Sequence, residues 1–135
     1  MWIFREIDGT LFLSKDCPNL DLYGNFEYYG MEELLPLPSS WFPEVKEGFF
    51  YNIDFSQNSG TYNVYIARDS NMDCYVHVNE PSKYQYGKYE CYISNNSLYL
   101  GKHDFPEIKP LSGAFKYEIY IPNHRRKIKK MYGTV

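Results

Sequence analysis

Apolar and polar residues alternate along much of this chain with a period of about two, the repeat of a half-buried strand rather than of a helix. Residues 2–7 and 10–14 alternate on either side of Asp8-Gly9, a dipeptide that tolerates positive φ and predicts a type I′ hairpin turn. The pattern returns over residues 64–69 and 74–78, where Ser70-Asn71-Met72-Asp73 lacks the glycine and predicts a wider turn. A loop over residues 18–25 contains Tyr23-Gly24, and Tyr86-Gly87 is its later counterpart; glycine in both marks a bend that a side chain would obstruct. Residues 26–29 and 89–93 predict a third strand. Leu34, Leu35 and Leu37, interrupted by Pro36 and Pro38, predict an edge strand, with Ser97 to Leu100 as its twin. Ser39-Ser40-Trp41-Phe42-Pro43 predicts a short helical turn capped by a serine, and residues 49–55 and 115–121 each predict one alternating strand.

These elements come in pairs because the chain is written twice. Residues 2–46 laid on 65–109 without a gap share thirteen identities in forty-five positions. Among them are Ile3/Ile66, Arg5/Arg68, Pro18/Pro81, Glu27/Glu90, Leu35/Leu98, Leu37/Leu100 and the Phe-Pro-Glu of Phe42 and Phe105. Chance would give about three at ordinary residue frequencies. After Lys46 and Lys109 the comparison steps by three, setting Tyr51 and Ile53 against Tyr117 and Ile119. The expected fold is therefore mainly β: a tandem pseudosymmetric repeat of two antiparallel units of about 60 residues, each with a short helical turn, packed as one body. The boundaries are a first unit over 1–56, a linker over 57–63, a second unit over 64–122 and a basic C-terminal tail over 123–135. The core is expected at Phe4, Leu11, Leu13, Phe26, Phe42, Tyr51 and Ile53, and at Cys74, Val76, Tyr89, Phe105, Tyr117 and Ile119.

Charge separates the copies. Residues 1–60 carry ten acids and three bases, residues 61–135 seven acids and eleven bases, and five of those bases follow His124. Arg125, Arg126 and Lys127 in that tail suit phosphate, but the net charge of −3 argues against a dedicated nucleic-acid binder. The tail is equally suited to an acidic surface of the first copy that includes Glu32, Glu33, Glu44 and Glu47, its own or that of a second chain in a homodimer. Three cysteines, each opposite a different residue in the other copy, point to a reducing cytoplasm rather than a disulfide framework. No stretch has the length and apolarity of a membrane span and no leader pattern is visible.

The chemistry-bearing residues form no catalytic constellation. His77, His103 and His124 stand at no metal-ligand spacing from a cysteine, no glycine-rich phosphate loop occurs, and neither a cofactor nor a metal is implied. Arg5 and Arg68 are expected to pair with Glu27 and Glu90 across the sheet, or else to hold an anionic group of a ligand or partner. Eleven of the fifteen tyrosines follow residue 60, and Tyr92 and Tyr120 fall out of phase with the apolar positions, as side chains on a binding surface do. With Tyr23 and Tyr86 beside their glycines, these residues make the expected surface for a protein partner. The expected function is a non-catalytic interaction module that works through tyrosine-rich and acidic surfaces.

The repeated pattern of Ile-x-Arg-[Glu/Asp] opening a hairpin, a mid-repeat proline, and Leu-x-Leu before Phe-Pro-Glu-[Val/Ile] resembles a group of short uncharacterised proteins of gut Bacteroidales and their phages. The resemblance implies a phage or mobile-element setting. There the alternative function is to inhibit or sequester a host defence component, either a protein or a small nucleotide.

Overall fold

The computed structural model describes residues 1–20, 26–27, 34–57 and 60–122, and the fold is mainly β, with no helix among the described residues. The chain forms two compact units, Met1–Asp54 with the segment that begins at Tyr120, and Phe55–Ile119. Tyr23, Glu32, Glu33, Arg125, Arg126 and Lys127 lie outside the described residues.

In the first unit β1 (Trp2–Arg5), β2 (Leu11–Ser14), β5 (Leu34–Leu37) and β6 (Phe50–Asn52) form an antiparallel sheet in the order β5-β2-β1-β6. A small ribbon of β3 (Asn19–Leu20) and β4 (Phe26–Glu27) accompanies it. Opposing residues in a strand pair share a face, so Ile3 with Leu13 and Arg5 with Leu11 lie on one side, and Phe4 with Phe12 on the other. The first side meets Leu35, Leu37 and Tyr51 in the core. Phe4 is buried too, but in a separate cluster with Leu34 and Phe50, flanked by Trp2 and Phe12. Both faces of β1 are thus covered. Pro36 sits exposed in the edge strand β5, where its missing N–H costs no ladder bond.

In the second unit β8 (Asn63–Arg68), β9 (Cys74–His77), β12 (Ser97–Gly101) and β13 (Phe115–Tyr120) are joined by β7 (Asp54–Ser56) in a sheet of order β12-β9-β8-β13-β7. Val64, Ile66, Cys74, Val76, Leu98, Leu100, Tyr117 and Ile119 bury one face. The opposite face carries Tyr65, Ala67, Tyr75, His77, Ser97 and Tyr99. A ribbon of β10 (Ser82–Tyr86) and β11 (Tyr89–Ile93) is the remaining element.

Several sequence expectations are corrected. The first turn is not type I′: Glu6 N–H bonds Thr10 O, Gly9 N–H bonds Glu6 O, and within it only Gly9 has positive φ, at 90°. That is a three-residue loop closing on a left-handed residue. The second turn is no wider, because Asp69 N–H bonds Asp73 O, Met72 N–H bonds Asp69 O, and Met72 adopts φ 78° where the first turn has glycine. The segment expected to be a loop around Tyr86-Gly87 is mostly strand. Its five residues are all exposed and carry no apolar alternation to betray them. Gly87, at φ 64°, begins the two-residue turn that pairs Tyr86 with Tyr89, as a II′ turn requires.

No helical turn forms at Ser39 to Pro43; the segment runs as turns, and Phe42 at φ 50° takes the left-handed conformation that ends any helix. The strand expected over 49–55 is two strands, β6 and β7, in different sheets. Tyr51 stands opposite Ile3 and Phe115 opposite Ile66, so the last strands are offset by one residue beyond the 63-residue spacing, not three. Of the expected core, Tyr89 and Phe105 are only half-buried.

Candidate functional site: a tyrosine-walled cleft

The two arginines kept in both copies lie on the core side of their sheets and are 7% and 1% exposed. Arg5 donates from Nε to Val45 O at 2.5 Å, from one terminal nitrogen to Gly9 O and Ser39 O, and from the other to Trp41 O and Phe42 O. Arg68 donates from Nε to Ile108 O at 2.8 Å, from one terminal nitrogen to Met72 O and Lys102 O, and from the other to Asp104 O and Phe105 O. A guanidinium has five N–H donors, and here five carbonyls take all of them. Arg68 does not pair with Glu90 among the described residues, the Glu27 side chain lies outside them, and neither arginine keeps a donor for an external anion. Their work is to gather the hairpin turn and the Phe-Pro-Glu loop. Phe42 and Phe105, at φ 50° and 54°, turn their own carbonyls toward the guanidinium. The signal was present in sequence as arginine two residues from a hairpin turn, but four of its five carbonyl partners lie 34–40 positions away and none carries a side-chain signature.

On the opposite face of the second sheet β11 of the β10–β11 ribbon meets β8, and Ser94 beyond it reaches His77. Asp69 holds the ribbon there. Its Oδ1 accepts Tyr92 N–H at 2.9 Å and its Oδ2 accepts the Tyr89 hydroxyl at 3.0 Å, while Ser70 N–H donates to Glu90 O. Asp69 is 3% exposed, and burial pushes its carboxyl above the usual range against the pull of those two hydrogen bonds. Burial, followed by the hydrogen bond to Asp69, raises the Tyr89 phenol far above its ordinary value. Tyr92, expected at the surface, is buried by this pinning, with the Lys83 ammonium 6.0 Å from its ring centroid.

His77 is 1% exposed, and its Nδ1 lies 2.6 Å from Ser94 Oγ. Ser94 Oγ also lies 3.1 Å from Asn96 O, which can only accept, so the single hydroxyl hydrogen goes there and His77 Nδ1 carries the proton between ring and serine. Nε2 then holds a buried lone pair with no partner among the described residues. Burial pulls the imidazole down to about 4, so it is neutral at pH 7. The cysteines are no nearer to nucleophiles: burial pushes the Cys74 thiol up to about 11, and burial and Asp69 raise Cys91.

Between ribbon and sheet lies a cavity of about 230 Å³ whose walls include Asp69, Tyr75, Tyr89, Tyr92, Ser94 and Ser97. None of its lining residues is basic. It adjoins a depression of about 350 Å³ that shares Ile93 and Ser94 and contains Glu80. Outward along the ribbon, register places Tyr84 opposite Cys91 and Tyr86 opposite Tyr89, on the face that carries Ile93. Tyr84 and Tyr86 are 46% and 74% exposed, with ring centroids 6.2 Å apart. Of the described tyrosines expected at a surface, Tyr86 is exposed on the ribbon outside the cavity lining, and Tyr120 is exposed at the end of β13. Asp69, Tyr75, Tyr84, Tyr89, Ser94 and Ser97 were missed because a strand-spanning cleft has no local motif.

Among the described residues no helix is long and apolar enough to cross a membrane. No family model, no curated protein and no solved structure matches this chain.

Proposed function

We propose that this chain is a non-catalytic interaction module that holds a polypeptide partner against the tyrosine-rich face of its second unit. The observation that carries the reading is β10: all five of its residues are exposed, it is hydrogen-bonded along one edge only among the described residues, and it presents Tyr84 and Tyr86 side by side. Tyrosine on a rigid strand offers large contact area with little side-chain entropy to lose, and an open strand edge offers main-chain donors and acceptors to an extended peptide. The neutral imidazole, the committed Ser94 hydroxyl and the raised thiols support a binding role over nucleophilic chemistry.

The two units are read as copies of one module. Each carbonyl that Arg68 collects lies 63 positions after one collected by Arg5, and β12-β9-β8-β13 follows the order of β5-β2-β1-β6. This supports a duplication whose second copy became the binding half.

The test is a double variant, Tyr84→Ala with Tyr86→Ala, in partner capture by in-cell crosslinking. A partner held by this face should be lost by about tenfold or more, as for truncated interface tyrosines, while the melting temperature is unchanged. Equal recovery of the same partner by wild type and variant would sink the reading.

A further inference from the structure

We propose that the cavity between the β10–β11 ribbon and the second sheet is a receptor for an alkylated ammonium group, such as a methylated lysine side chain or a small quaternary amine. The inference deepens the function proposed above by naming the chemistry that this part of the face selects.

The walls fit a cation of this kind. Tyr75, Tyr89 and Tyr92 are among the lining residues; tyrosine rings attract positive charge, and methylated ammonium ions favour such sites because they are weakly hydrated. Asp69 supplies a buried carboxylate whose oxygens both accept hydrogen bonds, which fixes it in place without neutralising it. No lining residue carries positive charge, and the neighbouring His77 stays neutral. The Tyr75 phenol and the Cys91 thiol are both raised, first by burial and then by acids that include Asp69, the direction a negative local field imposes. Glu80 extends that field into the adjoining depression. Lys83 stands opposite Tyr92 on the same face of the ribbon, and its ammonium lies 6.0 Å from that ring's centroid, so the ring already holds a cation. A volume of about 230 Å³ admits a trimethylammonium head with part of its chain.

The first unit supplies an internal contrast. Sixty-three positions before Ala67, Tyr75 and Ser97 stand Phe4, Phe12 and Leu34. Phe4 and Leu34 fill that face in a cluster with Phe50, and Phe12 packs against them. Where one unit is plugged with hydrocarbon, the other has a buried alanine at the position of Phe4 and an exposed serine, Ser97, lining the hollow. Packing alone would favour the plug, so the hollow calls for an occupant.

The test uses the full chain and defined probes, namely choline, a short peptide with one trimethyllysine, and 3,3-dimethylbutanol, the uncharged isostere of choline. Binding is followed by the ring resonances of Tyr75, Tyr89 and Tyr92 at constant ionic strength. Choline or the peptide should saturate these shifts, and the isostere should bind at least about tenfold more weakly. Tighter binding of the peptide assigns the ammonium to a protein side chain, and equal binding assigns it to a free amine. Ser97→Leu, which refills the hollow with an already exposed position, should abolish binding without lowering the melting temperature. Asp69→Asn keeps an acceptor for Tyr92 N–H and should weaken binding. Equal binding of the isostere, undiminished binding to Ser97→Leu, or no saturation by either cation overturns the inference. If it falls while the Tyr84/Tyr86 variant still loses its partner, the interaction module stands and only the ligand chemistry is wrong.

Discussion

Arg68→Met tests what holds the second unit together. The side chain is 1% exposed and makes no ion pair among the described residues; its charge is balanced by five carbonyl dipoles drawn from three separate stretches, Met72, residues 102–105 and Ile108. Methionine fills similar space and removes every donor. A buried acceptor left without a partner costs about 1–3 kcal/mol, so five at the low end give about 5 kcal/mol. Removing a buried charge returns part of its desolvation cost, and some carbonyls regain water, which leaves an expected loss of about 3–5 kcal/mol. That is a large share of the 5–15 kcal/mol typical of a domain. Arg68→Lys keeps the charge, but one ammonium has three donors and cannot reach five carbonyls, so it should recover less than half. Urea unfolding followed by circular dichroism measures both, and Arg5→Met should behave alike. A loss below about 1 kcal/mol for Arg68→Met would refute the claim that the guanidinium organises the loop.

Three further outcomes follow from the same geometry. Met72→Gly should stabilise by up to about 1 kcal/mol, because Met72 sits at φ 78° with its side chain half exposed, and left-handed backbone costs a non-glycine residue about 1–2 kcal/mol; a lower melting temperature would contradict this. His77 has a folded pKa near 4 against 6.5, so the unfolded chain binds its proton first, and stability should fall as pH drops from about 6.5 to about 4, by about 3 kcal/mol in all. Asp69 and Glu6, raised by burial, act in the opposite sense at acid pH, so the diagnostic is the difference in urea midpoints between wild type and His77→Asn, which should shrink as pH falls. Reciprocal exchange should be unequal: Leu34→Ser should cost about 2–4 kcal/mol by emptying a filled cluster, whereas Ser97→Leu should be neutral or stabilising, and equal losses in thermal melts would remove the contrast between filled and hollow faces.

How far sequence carried the structure depended on whether the deciding interaction was periodic. Alternation located β1, β2, β8, β9 and β13, and placed Leu11, Leu13, Ile53, Val76 and Ile119 in the core, because burying one face of a strand leaves a mark at every second residue. It failed for β10, which buries nothing; Phe4, expected in the core, is buried, though on the face opposite Leu11 and Leu13. The absence of glycine at position 72 was read as a longer loop, yet the backbone kept the turn and imposed positive φ on methionine. Arg5 and Arg68 stood out by their recurrence, but backbone carbonyls bear no sequence signature, so a glutamate was the only visible partner. Tyr92 looked exposed by its phase, and a carboxylate just past the end of β8 holds it buried.

The two outer faces solve one physical problem in different ways. A sheet face left open must be covered, and Phe4, Leu34 and Phe50 cover theirs with hydrocarbon, each fully buried apolar side chain contributing about 1.5–3 kcal/mol. In the second unit alanine and serine give up that contribution, and the cover is a hydrogen-bonded ribbon. Two bonds to the Asp69 carboxylate, at about 1.5–3 kcal/mol each for charged acceptors, supply comparable free energy at one end of that ribbon. The energies are similar, but the geometry is not. Hydrocarbon packing is non-directional and closes space, whereas a pin at Asp69 fixes Tyr89 and Tyr92 and leaves the walls at Tyr75 and Ser97 apart. Glu6 occupies the position of Asp69 in the first unit, one carbon longer, and its Oε1 is buried without a hydrogen-bond partner among the described residues. The plugged face thus carries the longer acid and the larger apolar residues, and the cleft carries the shorter acid with its two hydrogen-bonded oxygens.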